Sequence, residues 1–398
     1  MPPVHSPVTA GALYSAAWAG ASTGRSHAAL QSLESWVARD YAPLAWSWTD
    51  SGTTALTRAI AAAVSATGHR AVALPGYACY DLATACDGAD TAGVLYDLDP
   101  LTLGPSWESL ERALVSGVAA VVVVHLFGLP VDLGRIRALA KAHGALVIED
   151  AAQGVGATYD GRPVGAHGDL SILSFGRGKG LTAGGGGLLL AHDEQLAAVI
   201  RSAPASGGLG WASLGKAAVQ ALLSAPSRYW LPASLPMLGL GETRYQPPRA
   251  GAGLSRVGAG LLSRTVGLVG RAAEARREMA ARWRGALASD WGGVIPGVTA
   301  GAVAGYLRFP LVLPRPWGSG DQRARRLARH GVAGGYPRSL GQLPGFSRGV
   351  VPAGGGLPGA DRLAESLLTL PTHVYVQQED IDAVVAELRS LSPRGSAG

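Results

Sequence analysis

The sequence predicts an α/β protein: a mostly parallel central sheet covered by helices, followed by a smaller C-terminal α+β domain. Three observations carry this expectation. Between Ser26 and Ala191, apolar runs of four to six residues alternate with stretches of helical spacing, the pattern of a parallel sheet buried on both faces. The chain has 398 residues, 47% of them hydrophobic and only 16% charged, so it can bury a sizeable core and is not a disordered chain. Near Pro204 the character changes, and after Leu287 single strand and helix signals replace the regular alternation.

In chain order, helical spacing marks Ala28 to Arg39 and Thr54 to Ser65, and strand signals mark Arg70 to Leu74 and Gly93 to Tyr96 with a helix at Tyr80 to Cys86 between them. Helices at Trp107 to Ser116 and Leu133 to His143 flank the strand Ala119 to Val124. Further strands are expected at Ala145 to Ile148, Leu170 to Phe175 and Gly187 to Ala191. Leu214 to Leu223 reads as an apolar helix. Ser263 to Leu287 reads as a long helix with Arg271, Glu274, Arg276, Arg277, Glu278 and Arg282 on or near its wet side. Tyr306 to Leu313 then suits a strand, and Asp321 to His330 and Glu379 to Leu388 suit helices. The expected organisation is an N-terminal arm at 1–25 and a large domain at 26–259, with a Pro-, Leu- and Trp-rich segment at 205–241. A small domain at 260–391 and a flexible tail at 392–398 complete it.

Bulk composition narrows the function. The 57 glycines and 25 prolines show no triplet repeat, which excludes collagen. The net charge of +6 comes from scattered arginines, so no nucleic-acid partner is expected, while anionic small substrates fit. Cys79 and Cys86 are the only cysteines, too few for a disulfide framework or a CxxC metal site, and no metal is expected. The first residues lack a basic region followed by an apolar core, and Val118 to Val124 is too short to span a bilayer. A cytoplasmic protein without integral membrane association is expected.

Three short elements carry chemistry. Asp150 ends an apolar strand in Glu149-Asp-Ala-Ala-Gln153, and a carboxylate at such a place demands a partner; alone it suits a cap or an internal salt bridge as well as a protonated ring nitrogen. Lys179 follows the next strand among glycines, with Ser174 before it. A lysine amine held there can form a Schiff base, although by itself the stretch also reads as a flexible loop with a solvated lysine. Asp50-Ser-Gly-Thr-Thr-Ala55 opens a helix, where free N–H groups and hydroxyls suit a phosphate or ordinary N-capping. No P-loop or dinucleotide fingerprint is present. Together the three supply an anion seat, a ring-nitrogen partner and an imine-forming amine, which is what pyridoxal phosphate requires.

The chain resembles the DegT/DnrJ/EryC1/StrS family of pyridoxal-phosphate aminotransferases, the sugar aminotransferase branch of fold type I. The resemblance runs through Ser51-Gly-Thr-Thr-Ala-Leu56, Asp97-Leu-Asp-Pro-Leu-Thr102, His125-Leu-Phe-Gly-Leu-Pro130, Glu149 to Gln153, Ser174-Phe175 and Lys179 with its glycines, and resumes at Leu370-Pro-Thr-His373 and Asp380-Ile-Asp382. It implies a three-layer transferase fold with pyridoxal 5'-phosphate joined to Lys179 as an internal aldimine. Asp150 would pair with the pyridine nitrogen, Gln153 would lie near the ring oxygen and Ala152 would back the ring. Gly52, Thr53 and Ser174 would hold the phosphate. The family usually presents an aromatic residue over the other ring face; strict counting puts Cys79 there, and Tyr80, one residue on, is the expected cover.

The same resemblance implies amino transfer from an amino acid, glutamate by expectation, to an anionic keto acceptor, most simply a nucleotide-linked keto sugar. A cyclitol or small keto acceptor, or a non-catalytic cofactor-binding regulator, are the alternatives. A homodimer with shared sites is implied, with Tyr14 and Trp18 in an arm near the active-site mouth. Lys179 stands against the dehydratase-like members, which carry histidine there. Two departures stand out: Gly185 replaces the family's loop glutamate, and Glu242-Thr-Arg-Tyr245 stands where the family has Asn-Tyr-Arg. His125 reads as a polar group near substrate or as a hydrogen-bonded strand terminus, His373 as structural, and Trp46 and Trp48 as packing at an interface or core edge.

Overall fold

Leucine- and valine-rich runs bounded by glycine, serine or aspartate are too short for helices, and they extend into strands. In the computed structural model, which describes residues 1–6, 8–201, 207–223, 245–287, 291–317, 322–352 and 355–390, the strands in chain order are β1 (Ala45–Thr49), β2 (Ala71–Pro75), β3 (Ala92–Tyr96), β4 (Ala120–Val124), β5 (Leu146–Asp150), β6 (Thr158–Tyr159), β7 (Arg162–Pro163), β8 (Leu170–Ser174), β9 (Gly187–Ala191), β10 (Ala302–Val303), β11 (Phe309–Val312), β12 (Ala333–Gly334), β13 (Gly349–Val350) and β14 (Leu367–Leu370). Eight form one sheet in the order β1-β9-β8-β5-β4-β2-β3-β13. All pairings from β8 to β13 are parallel, and β9 runs antiparallel to both β8 and β1.

The sheet is the middle layer of a three-layer α/β fold. The helices Gly52–Thr67, Asp81–Gly88, Trp107–Val115, Leu133–Ala142 and Glu194–Arg201 pack against its strands. In β4 every residue is buried, as expected of a central parallel strand. The predicted α/β class and mostly parallel sheet are therefore what the chain adopts.

A second hydrophobic core lies towards the C-terminus. Met279, Trp283, Trp291, Phe309, Leu311, Leu368, Leu370, Ile381, Val384 and Leu388 cluster around the small antiparallel sheet β11-β14-β12. Trp283 is fully buried and its indole N–H donates to the Pro371 carbonyl at 2.8 Å.

Four local findings differ from the sequence reading. Ala45 to Thr49 forms the strand β1, which places Trp46 and Trp48 on the sheet beside β9, with Trp48 buried. The N-terminal arm contains a helix, Ala10–Ala21. The long helix expected at Ser263 to Leu287 is divided into Arg256–Thr265, a 3-10 turn at Val266–Leu268 and Val269–Ala286. At the break, the Thr265 hydroxyl donates back to the Leu262 carbonyl at 3.1 Å, the kind of side-chain bond that bends helices.

Arg276, expected on the wet side, is only 6% exposed. It donates from Nε to the Gly305 carbonyl at 2.8 Å and from Nη2 to the Val155 carbonyl at 3.0 Å, so the guanidinium stitches the helix to the loop after β5. Burial pushes its pKa down to about 10. Gly156 makes room for it: a Cβ there would stand 2.6 Å from Ala273 Cβ and 3.1 Å from Arg276 Nη2.

Parts of the segment 205–241, the tail 392–398 and the stretch Glu242 to Arg244 lie outside the described residues; Trp211–Leu223 is helical. Among the described residues no helix is long and apolar enough to cross a membrane.

Candidate active site

Parallel strands deliver their last residues to one edge of the sheet, and in open α/β sheets ligands gather there. Here β4, β5 and β8 end beside one another, with Val124 paired to Asp150 and Asp150 to Ile172. Strand alternation sends the Glu149 and Asp150 side chains to opposite faces, and the two carboxylates meet different surroundings.

Glu149 is fully buried. It accepts from His125 Nε2 (2.9 Å), Gly165 N (2.6 Å), His167 N (2.9 Å), Gly168 N (3.0 Å) and Ser171 Oγ (3.2 Å). Burial alone would raise its pKa, but His125 and the backbone donors outweigh burial and hold the carboxyl down at about 2. His125 also accepts from Val131 N at Nδ1, 3.3 Å. Both of its ring nitrogens are therefore engaged, and of the two readings its surroundings are those of a hydrogen-bonded strand terminus.

Asp150 is 5% exposed, and among the described residues its carboxylate accepts one hydrogen bond, from Ala152 N at 2.9 Å. Burial pushes its carboxyl above the usual range, with the Lys179 charge and the Ala152 N–H pulling the other way. Lys179 is half-buried, and its backbone carbonyl accepts from Ser6 Oγ at 2.6 Å. In the N-terminal arm it is thus Ser6 that touches the lysine loop, while Tyr14 and Trp18 are exposed at 65% and 48%.

The anion seat lies beside β8. Ser51 caps the helix Gly52–Thr67 by accepting from Thr54 N at 3.1 Å. The N–H groups of Gly52 and Thr53 make no hydrogen bond among the described residues, and neither does the Ser174 hydroxyl. A Cβ on Gly52 would stand 2.7 Å from Ser174 Cβ, and one on Gly187 would stand 2.4 Å from the Ser51 carbonyl oxygen. Glycine at both places keeps the helix start, β8 and β9 close enough to converge on one anion. Gly184, Gly185 and Gly186 all have positive φ, from 69° to 148°.

Cys79 and Tyr80 occupy different surroundings. The Cys79 thiol donates to Asp81 Oδ2 at 3.3 Å and feels the Lys179 charge; burial, followed by Asp81, pushes its pKa up to about 12. It is a neutral thiol. The buried Tyr80 donates its hydroxyl to the Arg338 carbonyl at 3.3 Å and packs at 6.1 Å, tilted 40°, against Tyr336.

Gln153 accepts from Phe127 N at 2.9 Å and donates from Nε2 to the Tyr336 hydroxyl at 2.9 Å. Tyr336 was missed in the sequence because 183 residues separate it from Gln153. Its local context, Gly-Gly-Tyr-Pro, reads only as a turn. His373 is buried and bonded to the Pro2 carbonyl at 2.7 Å. Tyr245, the described end of the Glu242 to Tyr245 stretch, binds Asp87 through its hydroxyl.

The donor set fits pyridoxal phosphate. Unpaired N–H and hydroxyl groups at a helix start suit the phosphate, and an under-partnered buried carboxylate suits a protonated ring nitrogen with an amine nearby. Sheet and site together define the fold type I class of pyridoxal-phosphate-dependent proteins. More narrowly, the chain belongs to the DegT/DnrJ/EryC1/StrS aminotransferase family, whose model matches residues 47–389.

Among known proteins, the L-glutamine:2-deoxy-scyllo-inosose aminotransferase of Streptoalloteichus tenebrarius is 38% identical over 147 residues, covering 37% of this chain and 34% of that one. The GDP-perosamine synthase of Caulobacter vibrioides is 36% identical over 152 residues, covering 38% and 41%. These matches span about a third to two fifths of the curated relatives' length. The solved structure of the aminotransferase TlmJ from Streptoalloteichus hindustanus shares the fold across 98% of both chains, with a TM-score of 0.74 at 24% identity.

Proposed function

We propose that the protein is a pyridoxal-phosphate-dependent aminotransferase that moves an amino group from an amino acid, glutamate in the first instance, to a cyclic keto sugar carried on a nucleotide diphosphate. The observation that carries this reading is the buried Asp150, short of partners and facing the Lys179 charge beside the unpaired donors of Gly52, Thr53 and Ser174. Bound pyridoxal phosphate supplies the electron sink that lets an amino acid's Cα–H bond break.

The chain's own residues do the rest. Asp150 holds a proton at the ring nitrogen, because a carboxylate kept from water is stabilised by a cation placed against it. Lys179 Nζ would anchor the cofactor, and its amine would serve as the base that takes the donor's Cα proton and the acid that gives it back. Gly52, Thr53 and Ser174 fix the phosphate without entering the reaction, which keeps the reacting atoms in register. Ala152 would back the ring, and the Gln153 amide would supply a donor for its oxygen.

An alternative acceptor is a cyclitol ketone, favoured by the name of the Streptoalloteichus tenebrarius relative. A homodimer with shared sites follows the family pattern, and free thiols at Cys79 and Cys86 suit a reducing cytoplasm.

The decisive experiment adds pyridoxal phosphate to the purified protein. A visible absorbance band should appear, borohydride should abolish it, and the reduced adduct should map to Lys179. Glutamate should then convert the bound cofactor to its amine form, and paired assays with nucleotide keto sugars and cyclitol ketones should separate the acceptors. No band, or an adduct on another residue, sinks the proposal.

A further inference from the structure

Gln153 is held at both ends of its amide. The N–H of Phe127 can only donate, so the amide oxygen must face Phe127 and the NH2 group must face Tyr336. The Phe127 side of this clamp is costly to build. Phe127 has φ 56°, a left-handed conformation rare for a bulky residue. That turn is fixed from the C-terminal half, where Gly305 N donates to the Gly128 carbonyl at 2.8 Å and Arg308 N to the Phe127 carbonyl at 3.5 Å.

The Tyr336 side is equally constrained. Its backbone N–H donates to the Tyr77 hydroxyl at 2.7 Å, and its ring packs 5.5 Å from Tyr77 and 6.1 Å from Tyr80. Gly335 lets the chain come this close, because a Cβ there would overlap the Tyr77 hydroxyl. The groups facing Tyr336 are Tyr77, Tyr80, Cys79, Gln153 and the Arg308 charge. Its hydroxyl accepts from Gln153, and its own proton has no acceptor among the described residues.

We propose that Tyr336 is a positioning residue that, with the strained Phe127 turn, locks the Gln153 amide so that one N–H is spent on the phenol and the other is aimed at the cofactor's ring oxygen. An amide tied only at its oxygen rotates; tied at both ends, it presents a fixed donor. The inference rests on the reading that pyridoxal phosphate binds at Lys179, and it adds a residue from a distant part of the chain to that site.

The test is Tyr336→Phe in the full-length protein loaded with pyridoxal phosphate. The variant keeps the ring and the backbone bond to Tyr77 and removes only the acceptor. A donor aimed at the ring oxygen weakens that oxygen's hold on the proton it shares with the lysine–cofactor nitrogen. Loosening the donor should therefore raise the pH midpoint of the visible band by about 0.5 to 1 unit, a three- to tenfold change in proton affinity for one hydrogen bond. Gln153→Ala should raise it in the same direction, and adding Tyr336→Phe to Gln153→Ala should change it no further.

An unchanged midpoint in Tyr336→Phe, beside a normal wild-type band, overturns the inference and leaves the cofactor reading intact. An additive shift in the double variant overturns it too, because Tyr336 would then act on the cofactor without Gln153. A wild-type protein that gives no band removes the cofactor reading and this inference with it.

Discussion

Glu149 and Asp150 are consecutive residues at the end of one strand, both hidden from solvent, yet they live in opposite electrostatic conditions. Glu149 is saturated by five donors and held at a pKa of about 2. Among the described residues the Asp150 carboxylate has one backbone donor; burial pushes its pKa up, against the pull of the Lys179 charge. The fold has satisfied the first carboxylate for itself and left the second wanting a partner. A buried charge that is fully paired belongs to stability, whereas one left short of donors marks where something else is meant to bind.

The largest expected effect would break the stable half of this contrast. Glu149→Ala strands His125 Nε2, three backbone N–H groups and the Ser171 hydroxyl without an acceptor, and should cost about 3–5 kcal/mol. Chemical denaturation measures it; a loss below about 1 kcal/mol would falsify the structural role. Asp150→Ala should do the reverse, lowering turnover by about 10²- to 10³-fold while stability stays within about 1 kcal/mol of wild type. Should its denaturation midpoint drop as far as that of Glu149→Ala, the two carboxylates would not differ in kind.

Acid sharpens the comparison. Glu149 has a folded pKa below its ordinary value near 4.5, so its stabilisation is present above that value and is lost as pH falls towards 2, on the order of 3 kcal/mol in all. Asp150 has a raised pKa, so its charged form subtracts stability at neutral pH and acid relieves it. Asp150→Asn removes that relief, and its stability should fall more steeply than wild type as pH drops from neutral towards the ordinary aspartate value of 3.8. A shallower fall would reverse the sign assigned to Asp150. The smallest effect is expected at Ser174, whose hydroxyl makes no bond among the described residues. Ser174→Ala should weaken pyridoxal phosphate binding by about three- to tenfold, read by equilibrium titration, with almost no change in thermal midpoint.

Much of the sheet was legible because its strands announce themselves by local means: β4 is a valine run and β9 a leucine run. The family motifs gave the candidate residues for the same reason, since Gly52, Asp150 and Lys179 sit in short, distinctive contexts. What stayed hidden depends on tertiary contact. Nothing around Tyr336 signals that it meets Gln153. Arg276 reads as one of several charges on a helix, yet it turns inward and is buried, because Gly156 leaves space for it. Phe127 gives no hint of its left-handed backbone, which the Gly305 to Arg308 segment imposes from outside. β1 escaped because its Trp-Ser-Trp alternation is shorter than a confident pattern needs.

The placement of β13 bears on how the protein is made. The parallel partner that completes the sheet beyond β3 is supplied by Gly349 and Val350, long after β3 has left the ribosome. At about 5–20 residues per second, the β3 edge waits roughly 10 to 50 s before its neighbour is synthesised. During that interval it is an unpaired edge, open to pairing with other nascent chains. Slower translation or lower temperature during production therefore acts on two opposed clocks, lengthening the exposure of each chain while reducing the number exposed at once.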